Sequence, residues 1–213
     1  MPSMTMGTQT GNSCAAHCIV IGIAELFNTR NNMTPGYAEN TVWPQIKFLV
    51  GENGGATDIL AGMNNSDPRK IVTFVNATGG GEAAAATLLC DSVLKSGALT
   101  YVDVGMQPQL DGLFNMMKGG NSTVTTAIKP GVYYNCSFLM FAAAAPGPAS
   151  YRGMHNILVT NSGGSIWYYN SNETNPAWVN VGPGAAWMRL NNQNGGNGSY
   201  VYTGVCVEMT AKV

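Results

Sequence analysis

The sequence predicts an α+β protein, with a mostly helical N-terminal half over about residues 1–130 and an antiparallel sheet over 131–213. The apolar run Cys14–Phe27 is too long for an ordinary strand and too short for a membrane span, so it reads as a buried central helix. Strand-like segments rich in aromatic and β-branched residues, divided by Gly and Asn turns, fill the chain after Val132. A length of 213 residues suits one domain that buries its own core.

The first helix opens at Cys14, with Asn12 or Ser13 placed to cap it, and closes in the polar cluster Asn28–Asn32. Thr41–Val50 follows as a helix with Pro44 in its first turn. A short helix is expected at Thr57–Met63 and a strand at Ile71–Val75. Glu82–Ser96 carries an Ala run with Gly97 as its stop, the pattern of a helix. Leu99–Val104 reads as a strand, and Pro108–Lys118 as a helix bounded by Pro and Gly119-Gly120. Val132–Ala142 is a long strand. His155–Thr160, the turn Asn161–Gly164 and Ser165–Tyr169 form a hairpin. Strands at Ala177–Val181 and Ser199–Thr210 complete the sheet. Loops Ala143–Gly153 and Asn191–Gly198 are candidates for gating entry to a cleft that Met154, Trp167, Trp178 and Trp187 would line.

The chemistry-bearing residues concentrate at the first helix and at the hairpin. Cys14 stands in the first turn of an apolar helix, where exposed backbone N–H groups and the positive dipole end favour thiolate. Gln9, in the Gly-containing turn ahead of it, offers an uncharged amide that can join the Cys14 N–H in holding an oxyanion. The hairpin brings His155 and Asn170 to one end, where an amide can orient an imidazole and fix its tautomer. Glu173 and Asn172 are substitutes for Asn170 in the same loop.

These residues resemble the papain-like superfamily of cysteine peptidases. Gln9-Thr10-Gly11-Asn12-Ser13-Cys14 is similar to the active-site stretch of ubiquitin carboxyl-terminal hydrolases. Cys14-Ala15-Ala16-His17-Cys18 resembles the helix of bacteriocin-leader-processing peptidases. His155, an apolar strand, a Gly turn, an aromatic strand and Asn170 resemble the superfamily's second block. The resemblance implies a papain-like fold, with Cys14 as nucleophile, His155 as general base, Asn170 as orienter and Gln9 at the oxyanion. It also implies a protein or peptide substrate and hydrolysis of a peptide or isopeptide bond. Glutamine deamidation or acyl transfer could run on the same machinery, and a cell-wall peptide amidase or a non-catalytic peptide-binding module are the rival readings. Ala15 stands where the named relatives carry Gly, and Asn170 where they carry Asp, which marks a divergent member.

No cofactor is expected. Cys14, His17 and Cys18 share one helix face and could offer metal ligands, yet no second ligand pair follows, because Cys90, Cys136 and Cys206 are isolated. Five cysteines, an odd number, argue against a disulfide framework. With 10% charged residues and a net charge of −1, the chain has no electrostatic footprint for nucleic acid or for an anionic membrane. The N-terminus lacks the pattern of a signal peptide. Sequons at Asn32, Asn64, Asn76, Asn121, Asn135, Asn172 and Asn197 include one in an expected strand and one in the expected active-site loop, where glycans would obstruct. The expectation is a bacterial protein, cytoplasmic or secreted without a signal peptide, of the effector or toxin kind, rather than a eukaryotic secretory one.

Overall fold

The buried helix and the hairpin organise the molecule, whose computed structural model describes residues 1–48, 67–79, 83–117 and 127–212. The helix expected at Thr57–Met63 lies outside the described residues. Helix α1 (Cys14–Phe27) is apolar nearly all round and its first eight residues, Cys14 to Ile21, are buried. A second helical run comprises α2 (Pro35–Tyr37), a π-helical turn (Ala38–Val42) and α3 (Trp43–Phe48). It begins on Thr34, whose hydroxyl accepts from the Tyr37 N–H, and on Pro35 in the first turn.

Four further helices are α4 (Pro68–Phe74), α5 (Ser92–Leu99), α6 (Gln107–Met117) and the short α7 (Gln193–Gly196). The strands are β1 (Ala84–Cys90), β2 (Tyr133–Phe141), β3 (Tyr151–Ser162), β4 (Ser165–Tyr169), β5 (Trp178–Gly182), β6 (Arg189–Asn192) and β7 (Gly198–Ala211). They form one seven-stranded sheet in the order β1-β7-β2-β3-β4-β5, with β6 paired to β7. Every pairing is antiparallel. The fold class is therefore α+β.

Three elements differ from expectation. Ala84–Cys90, expected within a helix, is the edge strand β1, which brings part of the N-terminal half into the sheet. Its alanines allow close packing of Ala84 and Ala86 into the α1 core, and the Asn76 amide bonds both the N–H (2.8 Å) and the carbonyl (3.0 Å) of Ala86. Tertiary pairing here overrides the helix propensity of an Ala run. Ile71–Val75, expected as a strand, belongs to α4 and the π-helical turn after it. Asp67 caps that helix by accepting from the Arg69 N–H at 2.9 Å, and Pro68 fills its first position. Leu99–Val104 is the frayed end of α5 rather than a strand, with backbone bonds from Thr100, Tyr101 and Val102 to the carbonyls three residues back.

Three clusters fill the core. The first packs α1, α3 and α4 against Leu158, Tyr169, Val207 and Met209. A second sits between α5, α6 and the far ends of β2 and β7. The third lies on the other face of the sheet, where Phe138, Tyr202 and the 1% exposed Trp187 stack edge-on and tilted. Trp187 is thus core, not cleft lining, and Trp178 likewise packs against Tyr133 and Tyr169. Among the described residues no helix is long and apolar enough to cross a membrane.

Candidate active site

The N-terminal segment is what carries Gln9 to the hairpin. The backbone N–H groups of Ser3 and Met4 donate to Glu25 Oε1 of α1 (both 2.6 Å), and Trp178 Nε1 donates to the Met4 carbonyl (2.8 Å). The Tyr169 hydroxyl donates to the Met6 carbonyl and accepts from the Met6 N–H. Thr8 Oγ1 reaches the carbonyls of Glu173 and Thr174, each at 2.9 Å. The Gln9 N–H then donates to the Ser171 carbonyl (2.9 Å), and Gln9 Oε1 accepts from the Ser171 hydroxyl (2.6 Å). Gln9 therefore lies against the residue next to Asn170. Its Nε2 gives one hydrogen to the Gly11 carbonyl at 3.0 Å, and a side-chain amide carries two.

Ser13 takes the N-cap position of α1, but its side chain does not cap. The hydroxyl instead donates to the Thr10 carbonyl at 3.0 Å, closing the turn between Gln9 and Cys14. Glu39, on the π-helical turn, clamps that same turn. One carboxylate oxygen accepts from the Thr10 N–H and the other from the Thr10 hydroxyl, both at 2.6 Å.

His155 and Asn170 meet as the hairpin predicted, though His155 lies inside β3 rather than at its start. The β3–β4 ladder ends at Leu158–Tyr169, and just past it Asn170 Oδ1 lies 2.8 Å from His155 Nε2. Asn170 Nδ2 donates to Glu173 Oε1 at 3.0 Å. A carboxylate only accepts, and the Asn172 N–H, which donates to Asn170 Oδ1 at 3.0 Å, only donates, so the two together fix which way the Asn170 amide points, and Asn170 in turn places a hydrogen on His155 Nε2. The imidazole lone pair then resides on Nδ1. The ring is 3% exposed and stacks on Tyr200 with centroids 5.2 Å apart. Glu173, named from the sequence as a substitute orienter, is instead the residue behind Asn170. Both of its carboxylate oxygens also accept from the Asn194 N–H at 3.1 Å.

Cys14 meets β3 at Asn156. Its Sγ donates to Asn156 Oδ1 at 3.9 Å, the long end for a sulfur donor. Asn156 Nδ2 donates to Asn135 Oδ1 (2.6 Å) on β2, and Asn135 Nδ2 donates to the Ala15 carbonyl (3.2 Å) on α1. The two Asn side chains therefore tie the N-terminal end of α1 to the centre of the sheet. Strand alternation sends Asn156 to the α1 face and His155 to the other. His155 is nonetheless within electrostatic reach of α1, because its charge contributes to depressing the pKa of His17. Sequence reasoning missed Asn135 and Asn156. The available signal was a polar residue inside each of two otherwise apolar strands, which when buried demands a partner.

His17 is fully buried and its Nε2 lies 3.4 Å from Glu39 Oε1. Burial lowers its pKa, against an opposing pull from Glu39. Burial and the neighbouring Cys14 push the Cys18 thiol well up, so Cys18 remains protonated in the core. All five cysteines are buried and outside any disulfide. Among the described residues no group of three or more His, Cys, Asp or Glu side chains is arranged to hold a metal ion. A cleft of about 410 Å³ opens beside Asn170 and Glu173, walled by Tyr168, Asn175, Asn192 and Gln193. The expected gating loop at Asn191–Gly198 forms one side of it through α7.

No protein-family model and no curated protein matches the chain.

Proposed function

We propose that the chain is a cysteine hydrolase of papain-like organisation, acting on a peptide or isopeptide bond through Cys14, His155, Asn170 and Gln9. The observation that carries this reading is the polarised line Glu173–Asn170–His155, with bonds of 3.0 and 2.8 Å, which leaves Nδ1 as the ring nitrogen that carries the lone pair.

In the reaction, His155 Nδ1 takes the proton from Cys14 Sγ as the sulfur adds to the carbonyl carbon. The side-chain amide of Gln9 and the N–H of Cys14 hold the resulting oxyanion. The tetrahedral adduct collapses, the amine leaves with the proton from His155, and a thioester remains on Cys14. His155 then removes a proton from water as its oxygen adds to the thioester carbonyl, the C–S bond breaks, and the Cys14 sulfur leaves with that proton from His155, restoring the free thiol and releasing the acid. The clamp of Gln9 by Ser171 and of Thr10 by Glu39 supports the oxyanion role, since a positioned donor needs no reorganisation at the moment of reaction.

The experiment is incubation of a proteome in ¹⁸O-water with wild type and with Cys14→Ala, followed by mass spectrometry. New C-termini carrying ¹⁸O, formed by wild type alone, are the expected result. Labelled glutamate in place of glutamine would assign the same site to deamidation. Absence of any product dependent on Cys14 would overturn the reading.

A further inference from the structure

The hydrogen-bond polarity of the two buried amides at Cys14 has a chemical consequence. The Ala15 carbonyl can only accept, so Asn135 must present Nδ2 to it and Oδ1 to Asn156. The 2.6 Å contact between the two side chains then needs its donor from Asn156, whose Oδ1 is left facing Cys14 Sγ. Turning Asn156 to offer Nδ2 to the sulfur would bring two carbonyl oxygens together. Turning Asn135 as well would set its oxygen against the Ala15 carbonyl. Asn135 and Asn156 are 1% and 0% exposed, so water does not relieve either arrangement.

We propose that Asn156, held in orientation by Asn135, is a positioning residue that keeps Cys14 as a neutral thiol at rest, ionising only as His155 takes its proton during attack. The inference deepens the hydrolase reading and rests on it for its meaning. An amide oxygen accepts from S–H and repels a thiolate, opposing the helix N-terminus, which favours the anion. The titratable groups around this end of α1 do not reverse the balance. His17 is biased towards the neutral form by burial, Cys18 is held protonated, and Glu39 is an anion engaged by Thr10 and His17. His155 gives its Nε2–H to Asn170 and leaves β3 on the face opposite Asn156.

The test is the pH dependence of iodoacetamide alkylation at Cys14, followed by the mass of the Cys14 peptide in the full folded chain. Wild type is expected to show an apparent thiol pKa at or above the ordinary value of about 8.5. Asn156→Ala removes the acceptor and is expected to lower that value by about one unit, giving about tenfold faster alkylation at pH 6.5. Asn135→Leu frees Asn156 to turn and shifts the profile in the same direction. Circular dichroism identifies any variant that fails to fold, and the wild-type profile then decides alone. Ionisation of wild-type Cys14 below about pH 6 overturns the proposal, as does an unchanged or upward profile in the folded variants. Alkylation needs no turnover, so failure of the hydrolase reading shows separately, as the absence of Cys14-dependent products.

Discussion

Glu173 Oε1 accepts a hydrogen bond from Asn170 Nδ2 at 3.0 Å, and that contact, with the Asn172 N–H on Asn170 Oδ1, selects the lone-pair nitrogen of His155 without touching the ring. The orienting unit is therefore a pair, an amide backed by an acid, in place of a single residue. Cutting its parts should have graded effects.

His155→Ala removes the base and is expected to lower kcat by about 10²–10⁴-fold. Asn170→Ala leaves Nε2 without its partner and should cost less. Glu173→Ala removes one of the two bonds that orient the Asn170 amide, leaving the Asn172 N–H on Oδ1, and should cost least of the three, with KM little changed. Steady-state kinetics on whichever substrate the proteome experiment yields would check the order. A loss from Glu173→Ala larger than that from Asn170→Ala would show that the acid acts by another route.

Gln9→Ala deletes the proposed oxyanion donor and is expected to reduce kcat by about 10²–10³-fold. The backbone bond from Gln9 to the Ser171 carbonyl survives the change, so the turn should persist. An effect confined to KM would assign Gln9 to substrate binding.

Much of this site was legible in the chain. Cys14 at the start of an apolar run, and His155 with Asn170 across a Gly163-Gly164 hairpin, are local patterns whose geometry follows from helix and hairpin rules. Within the expected helix Glu82–Ser96, Ser92–Ser96 is helical, but Ala84–Cys90 misled because alanine favours helices in isolation, while here its small size admits α1 and α4 against an edge strand. Ile71–Val75 misled for the opposite reason. Its β-branched residues suggested a strand, although Asp67-Pro68 just ahead is a helix start. Asn135 and Asn156 were visible only as polar interruptions, since which residue answers them depends on the register of β2 on β3 and on the packing of α1 over both.

That buried pair should be costly to break. Asn135→Ala leaves Asn156 Nδ2 without an acceptor in a closed site and is expected to destabilise the fold by about 1–3 kcal/mol. Urea denaturation would measure it. A change near zero would mean that water or a repacked side chain satisfies Asn156.

His17 gives stability a pH dependence. Burial holds its folded pKa below the ordinary 6.5, so between the folded value and 6.5 the unfolded chain binds more protons. The contribution is fully present above pH 6.5 and is lost as pH falls through that window. Glu39 acts lower, because bonds from Thr10 and His17 outweigh burial and hold it below its ordinary 4.5, so its contribution is lost only as pH falls further. Urea midpoints from pH 7 to 5 should drop more steeply in wild type than in His17→Gln. Parallel profiles would remove His17 as the cause.

A covalent acyl intermediate on Cys14 is what separates a hydrolase from a binding module, and rapid acid quenching of wild type with a substrate found in the proteome experiment detects it. The Cys14 peptide should gain the mass of the acyl group during turnover and lose it on treatment with hydroxylamine. Turnover without that adduct, or turnover that persists in Cys14→Ala, would contradict the account.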